Sequence, residues 1–310
     1  MTDTGAGSSV PGPVVVLAGP TATGKSDLSL RLAQALEGEV VNTDSMQLYR
    51  GMDIGTAKLP AGQRQGIRHH LLDVWDVRKT ANAAEYQTMA RSVVDGLLAA
   101  GKVPVLVGGS GLYIQAVTDR MEFPGTDPVL RAELEAELER CGSAVLHSRL
   151  AQVDPAAAEA ILPSNGRRLV RALEVVALKG SFTATLPRPE SVYRTVHIAL
   201  DRDVGVLDER IARRVDMMWE QGFVGEVERL AGQGLAEGLT AGRALGYRQI
   251  LDHLNGELSL EQAREKTVTG TRRFVRRQRS WFGRDKRYAW FDPGDTDALT
   301  RILEQVTAHR

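Results

Sequence analysis

At 310 residues the chain is long enough for one large domain or two ordinary ones, each with a filled core. Its 43% hydrophobic and 25% charged residues are those of a water-soluble globular protein, and no apolar run is long enough to span a bilayer, which excludes a membrane anchor of that kind. Basic and acidic residues balance at 39 each, so any nucleic-acid surface must come from local clustering, and the single cysteine, Cys141, excludes an internal disulfide framework and points to a reducing, cytoplasmic setting.

In chain order, residues 1–13 lack the basic start and apolar stretch of a secretory signal, and their Gly, Ser, Pro and Thr content predicts a disordered tail. Residues 14–18 are wholly apolar and mostly β-branched, the pattern of a strand buried on both faces of a parallel sheet. A glycine-rich turn and a helix over 25–36 follow, then a strand over 39–43, a short strand over 70–74, a helix over 83–100 closed by Gly101, and a buried strand over 103–107. Alternating strands and helices predict a doubly wound α/β sheet, and the Gly24-Lys25-Ser26 that closes the glycine-rich turn after residue 18 makes it one of the P-loop NTPase type.

Past Phe123 the pattern becomes helical. Asp127 and Pro128 read as an N-cap and first helical position, with Leu130, Leu134 and Leu138 one turn apart, and further helices are expected from Asp154-Pro155 and over 166–179. Residues 125–193 are therefore read as a helical insertion within a core of 14–124 and 194–310. The sheet resumes at 195–200, and a mainly helical C-terminal region completes the core.

The segment Gly19-Pro20-Thr21-Ala22-Thr23-Gly24-Lys25-Ser26 fits G-x-x-x-x-G-K-[ST] between a strand and a helix. Its glycines let backbone N–H groups turn around an anion, the helix N-terminus adds positive potential, Lys25 adds a full charge, and Ser26 offers a hydroxyl suited to Mg²⁺. The site is expected to bind a di- or triphosphate. An NTPase usually carries an acid at the end of an apolar strand to hold Mg²⁺, but residues 103–107 end in Gly108-Gly109. The acid follows the second strand instead, as Asp44, expected beside the P-loop as a metal partner or a base.

Between Arg264 and Arg287 ten basic residues face two acids, a net charge of +8. Placed at roughly 100° per residue from Val268, the apolar positions and Gln278 fall between roughly 220° and 340°, and Arg272, Arg273, Arg276, Arg277, Arg279 and Arg284 between roughly 20° and 180°. One face is expected on the core. The other reads as an arginine surface for a nucleic-acid backbone, with Arg272, Arg276 and Arg279 at one-turn spacing. The clusters at Arg167, Arg168, Arg171 and at Arg210, Arg213, Arg214 read as weaker because acids lie close. His69-His70 lacks further ligands for a metal site, Cys141 reads as structural, Trp281 and Phe282 read as core, and Tyr113 is a candidate for the crevice.

Together these motifs resemble the tRNA dimethylallyltransferases. The resemblance rests on Gly19 to Ser26, the run from Asp44 to Lys58 (DSMQLYRGMDIGTAK), His69 to Asp73, Val107 to Tyr113, Arg168 to Val175, Gly246-Tyr247-Arg248, and Thr271 to Phe282, in family order over most of the chain. It implies transfer of a dimethylallyl group from its pyrophosphate to the exocyclic N6 amine of the adenosine 3′ of the anticodon, with Mg²⁺ held partly by Ser26. It also implies that Asp44 is the general base and that Thr21, Lys25 and Ser26, with the rest of the loop and Arg210, bind the pyrophosphate. Contacts to the tRNA anticodon stem-loop are implied for Asp44, Ser45, Met46, Gln47, Ser110, Arg131, Arg168, Arg243, Ala244, Leu245, Gly246, Tyr247 and Arg248. Two departures stand out: Ser110 replaces the usual threonine, and Ser164-Asn165-Gly166 replaces the usual Asn-Asp pair. A monomer is expected. The competing readings are a P-loop kinase using ATP and a non-catalytic RNA-binding protein with a regulatory nucleotide site.

Overall fold

Five apolar residues in a row make β1 (Val14–Ala18), and all five are fully buried in the computed structural model, which describes residues 12–184 and 188–309. The tail expected over 1–13 lies, as far as residue 11, outside the described residues. Next come α1 (Lys25–Ala35), β2 (Glu39–Asn42), β3 (His69–His70), α2 (Ala83–Ala99), β4 (Pro104–Val107) and α3 (Gly111–Thr118). Four helices follow: α4 (Pro128–Cys141), α5 (Ser143–Val153), α6 (Pro155–Glu159) and α7 (Gly166–Lys179). The chain then forms β5 (Thr195–Leu200), α8 (Val204–Glu220), α9 (Phe223–Ala231), α10 (Tyr247–Leu254), α11 (Leu260–Phe282), β6 (Ala289–Phe291) and α12 (Ala298–Thr307).

The strands form one parallel sheet in the order β3-β2-β4-β1-β5-β6. This is the expected doubly wound P-loop architecture. Alternation along β1 sends Val14, Val16 and Ala18 into a core with Tyr49, Tyr86 and Ile114, and Val15 and Leu17 into a second core with Leu28, Leu32 and Ile302. Both faces are covered, so β1 is apolar throughout.

Three sequence expectations need correction. The third strand is two residues rather than 70–74, because Leu71 (φ 61°) and Asp73 (φ 59°) adopt left-handed backbone that no strand tolerates. The C-terminal region also supplies an edge strand, β6, too short for a periodic signal. And β2, which carries Asp44 beyond its end, does not adjoin β1: β4 lies between them.

The described residues group into two compact units, one from 12–120 with 190–309 and one from 121–189. The second is all helical, closed around Leu134, Leu146, Leu150 and Leu169. Its helices start as the sequence dictates: Asp127 accepts from the Val129 and Leu130 amides ahead of Pro128, and Asp154 accepts from Ala157 N ahead of Pro155.

Candidate active site

The loop from Gly19 to Ser26 leaves the C-terminal end of β1 near the middle of the sheet. At Gly19 (φ 137°) a Cβ would lie 2.4 Å from the Leu200 carbonyl oxygen, so any side chain would push β1 and β5 apart. Gly24 (φ 104°) turns the chain into α1. Cations and a hydroxyl hold the loop carbonyls. Lys25 Nζ donates to Gly19 O (2.9 Å) and Pro20 O (2.6 Å), Thr23 Oγ1 to Pro20 O (2.9 Å), Arg210 Nε to Ala22 O (2.8 Å) and Arg202 Nε to Thr23 O (3.3 Å). With its carbonyls engaged, the loop presents the N-terminus of α1 to an anion.

Asp44 follows β2 in a tight turn. The Asn42 side chain accepts from Asp44 N (3.0 Å) and donates to Asp44 O (3.0 Å) and Leu71 O (3.1 Å), while Asp44 Oδ1 accepts from Met46 N (2.9 Å). Although β4 separates β2 from β1, its end does not block the site. A Cβ on Gly108 would sit 2.3 Å from Thr43 Oγ1 and one on Gly109 2.2 Å from Gln278 Nε2, so the bare glycines let the Thr43 turn and α11 close over the strand end. The Ser110 hydroxyl accepts from Ser45 N (3.2 Å) and lies 3.2 Å from Ser45 Oγ, tying that turn to the Asp44 loop.

The charged groups of these loops act on one another. Burial holds Lys25 down to about 7, the positive Arg214 adds to the depression, and Asp44 partly opposes it. Burial likewise lowers Arg214, with Asp44 opposing and Arg210 reinforcing. Among the described residues Arg214 has neither a hydrogen bond nor an ion pair, so a half-buried guanidinium is left for a bound anion. Reading the sequence missed Arg214, because Asp208 and Glu209 seemed to neutralise its cluster. Its four-residue spacing from Arg210, which puts both on one helix face, was the available signal.

Asp208 in fact turns away to α11. It pairs with Arg276 (3.3 Å) and Arg272 (3.7 Å), and Asp201 after β5 pairs with Arg279 (2.8 Å). The expected acid-free surface is thus corrected: acids distant in sequence occupy Arg272, Arg276 and Arg279, at roughly 20–80° on the helix wheel. Arg273 and Arg277, at roughly 140–180°, and Arg284, which lies two residues past the end of α11 and not on its wheel as expected, are exposed and have no ion pair among the described residues.

The Gly246-Tyr247-Arg248 motif also divides. Tyr247 is fully buried and Ala244 is buried, so neither is a surface for RNA, which corrects that expectation. Tyr247 donates to Glu226 Oε1 (2.6 Å), and the buried Glu226 carboxylate also accepts from the amides of Asp53 (3.1 Å), Ile54 (2.8 Å) and Gly55 (3.3 Å). Lys58, also buried, donates to Tyr49 O (2.9 Å), Asp53 (2.7 Å) and Asp73 (2.6 Å), and Gln47 Nε2 to Thr56 O (3.1 Å). Most of the run from Asp44 to Lys58 is therefore scaffold for the Asp44 loop. Arg243 and Arg248 are exposed, Arg248 on Asp252 (2.6 Å), and Met46 and Leu245 are half-buried.

In the helical unit, Arg131 and Arg171 both pair with the fully buried Glu174, which also accepts from Asp127 N (3.0 Å). Arg168 donates to Ala184 O. His70 pairs with Glu39 (2.6 Å), and no cluster of three metal-ligating side chains occurs among the described residues. Cys141 is exposed. Tyr113 is buried against Tyr86 at a centroid distance of 4.5 Å, and burial, then Tyr49, Asp44 and Glu85, hold it above its usual range. Phe282 is core, as expected, and Trp281 is half-buried.

Comparison with known proteins points the same way. Residues 47–285 match the IPP transferase family. A tRNA dimethylallyltransferase of Salinispora arenicola is 60% identical over 298 residues, covering 96% of this chain and 87% of that protein. One from Streptomyces coelicolor is 58% identical over 310 residues, covering 97% and 99%. The crystal structure of the full-length tRNA isopentenylpyrophosphate transferase from Bacillus halodurans superposes with a TM-score of 0.71 at 38% identity, covering 96% of this chain and 97% of the other. A eukaryotic dimethylallyltransferase described as acting on tRNA superposes with a TM-score of 0.81 at 27% identity, covering 96% and 80%. No helix among the described residues is long and apolar enough to cross a membrane.

Proposed function

The chain belongs to the tRNA dimethylallyltransferase family, and from that premise we propose that it transfers a dimethylallyl group from dimethylallyl pyrophosphate to the N6 amine of the adenosine 3′ of the anticodon. The observation that carries this reading is the gathering of one carboxylate, Asp44, with Lys25 and the unpartnered Arg214 beside a phosphate loop, next to a strand end bare of acid. A nucleotide hydrolase would want its carboxylate on that strand; a group transfer to an amine wants a base.

The loop, Lys25, Arg210 and Arg214 hold the diphosphate, with Thr21 beside it. The adenine leaves the stack of the anticodon loop to reach the crevice, and its amine lone pair bonds to C1 of the dimethylallyl group. The C1–O bond breaks, its electron pair leaves with the diphosphate, and the amine proton passes to Asp44. Charge developing on the leaving oxygens meets Lys25 and Arg214, half-buried cations that the fold already holds beside the loop.

The residues present fit a Mg²⁺ that arrives with the diphosphate. Such an ion keeps most of its waters and wants few protein ligands, and the exposed Ser26 hydroxyl opens the first turn of α1 with no hydrogen bond of its own among the described residues. Bound there with phosphate oxygens, Mg²⁺ would offset the negative charge of the leaving group. Arg273 and Arg277 of α11 and Arg284 just past its end, with Arg243 and Arg248, are the proposed backbone contacts to the anticodon stem-loop, Ser45, Gln47 and Ser110 the contacts near the base, and the helical unit a further surface. The protein acts as a cytoplasmic monomer.

The test is mass spectrometry of nucleosides from unmodified tRNA incubated with the protein and dimethylallyl pyrophosphate. The expected product is an adenosine heavier by one dimethylallyl group at the position after the anticodon. No such product, with γ-phosphate of ATP passing to an acceptor instead, would establish the kinase reading.

A further inference from the structure

Gln278 sits where a helix normally presents an apolar side chain. It lies on the core face of α11 between buried Val275 and Phe282 and is itself only 6% exposed. A buried amide is costly unless both ends are bonded, and both are. Its Oε1 accepts from the Thr21 backbone N–H in the phosphate loop (3.1 Å), and its Nε2 donates to Gly109 O (2.9 Å) at the end of β4. The absence of a Cβ on Gly109 makes the room for it. A methionine of similar volume would fill the space but satisfy neither group.

The partners matter more than the burial. Thr21 belongs to the loop that holds the donor. Gly109 adjoins Ser110, whose hydroxyl accepts from Ser45 N, and Ser45 follows Asp44. One amide therefore stands between the phosphate loop and the turn that fixes the base. Its neighbour in sequence, Arg277, belongs to the exposed arginine face.

We propose that Gln278 is a positioning residue for the transfer step: through its two hydrogen bonds it sets the phosphate loop at Thr21 and the Gly109-Ser110 turn in register, so that leaving group and base face the same reacting pair. This rests on the reading of the site as a prenyl-transfer centre. Loss of the bridge leaves the arginine face intact, so it acts chiefly on kcat and moves the KM for tRNA little.

Two variants test it. Gln278→Met keeps the packing and removes both bonds; kcat should fall about tenfold, ~1.4 kcal/mol of barrier, with the tRNA KM within about twofold of wild type. Gln278→Glu still accepts from Thr21 N, but as a carboxylate it faces Gly109 O with no proton to give. Burial raises such a carboxyl, so on acidification it gains an O–H that can donate to Gly109 O. The ratio of Gln278→Glu to wild-type kcat should therefore rise several-fold from pH 8 to pH 6, while the Gln278→Met ratio stays flat. A folded Gln278→Met with kcat within about twofold of wild type overturns the bridge. If that variant does not melt cooperatively, a Gln278→Glu ratio independent of pH overturns it instead. Wild-type protein inactive in prenyl transfer would sink the site reading itself, a separate result.

Discussion

Lys25 is the residue whose environment makes the sharpest prediction. Burial and Arg214 hold its ammonium down to about 7, against an ordinary value of 10.5. A diphosphate in the loop brings negative charge to the same place and should return Lys25 toward that value. The free-protein value lies below that of the complex, so binding takes up a proton between the two, and affinity falls as pH rises through about 7. At pH 8 only about one free molecule in eleven carries the charge, so filling the site costs about 1.4 kcal/mol more than at pH 6, where Lys25 is almost fully charged. Pyrophosphate also titrates in this range, and Lys25→Arg removes that complication because arginine stays charged. The ratio of wild-type to Lys25→Arg affinity for inorganic pyrophosphate should drop about tenfold between pH 6 and pH 8, measured by calorimetry. Wild-type titrations at pH 8 in two buffers of different ionisation enthalpy should show close to one proton taken up beyond that of the ligand. A flat ratio with no uptake would mean that Lys25 is not the cation meeting the phosphate.

Asp44→Ala should lower turnover by about 10²–10⁴-fold with little change in tRNA binding by filter retention, since it removes a base and no cation. Arg214→Ala should weaken pyrophosphate binding by about 1.5–3 kcal/mol in the same calorimeter, the worth of hydrogen bonds to a charged group. Replacing Arg273, Arg277 and Arg284 with glutamine should flatten the salt dependence of tRNA binding by about two units of slope. The matching change at Arg272, Arg276 and Arg279, whose charges already face Asp208 and Asp201, should flatten it less. Glu226→Ala should cost about 3–5 kcal/mol in urea unfolding, because it strands three backbone amides and the Tyr247 hydroxyl in the core.

What the sequence determined by itself was whatever depends on neighbours in the chain. The phosphate loop is a local shape set by Gly19 and Gly24, β1 is marked by an unbroken apolar run, and α4, α6 and α11 are announced by their caps and periodicity. Asp44 was legible too, as an acid just past a strand.

Tertiary structure decided everything that depends on partners far away in sequence. The arginine surface of α11 looked continuous because Asp208 and Asp201 lie some 70 residues off, and only folding brings them to Arg272, Arg276 and Arg279. Tyr247 looked like a contact for RNA until Glu226 drew it into the core. Arg214 looked neutralised until the turn of α8 sent Asp208 to α11 and left the guanidinium unpaired, within reach of the Asp44 charge. Electrostatics in a desolvated cleft depend on distance in space, which the order of residues in a chain does not record.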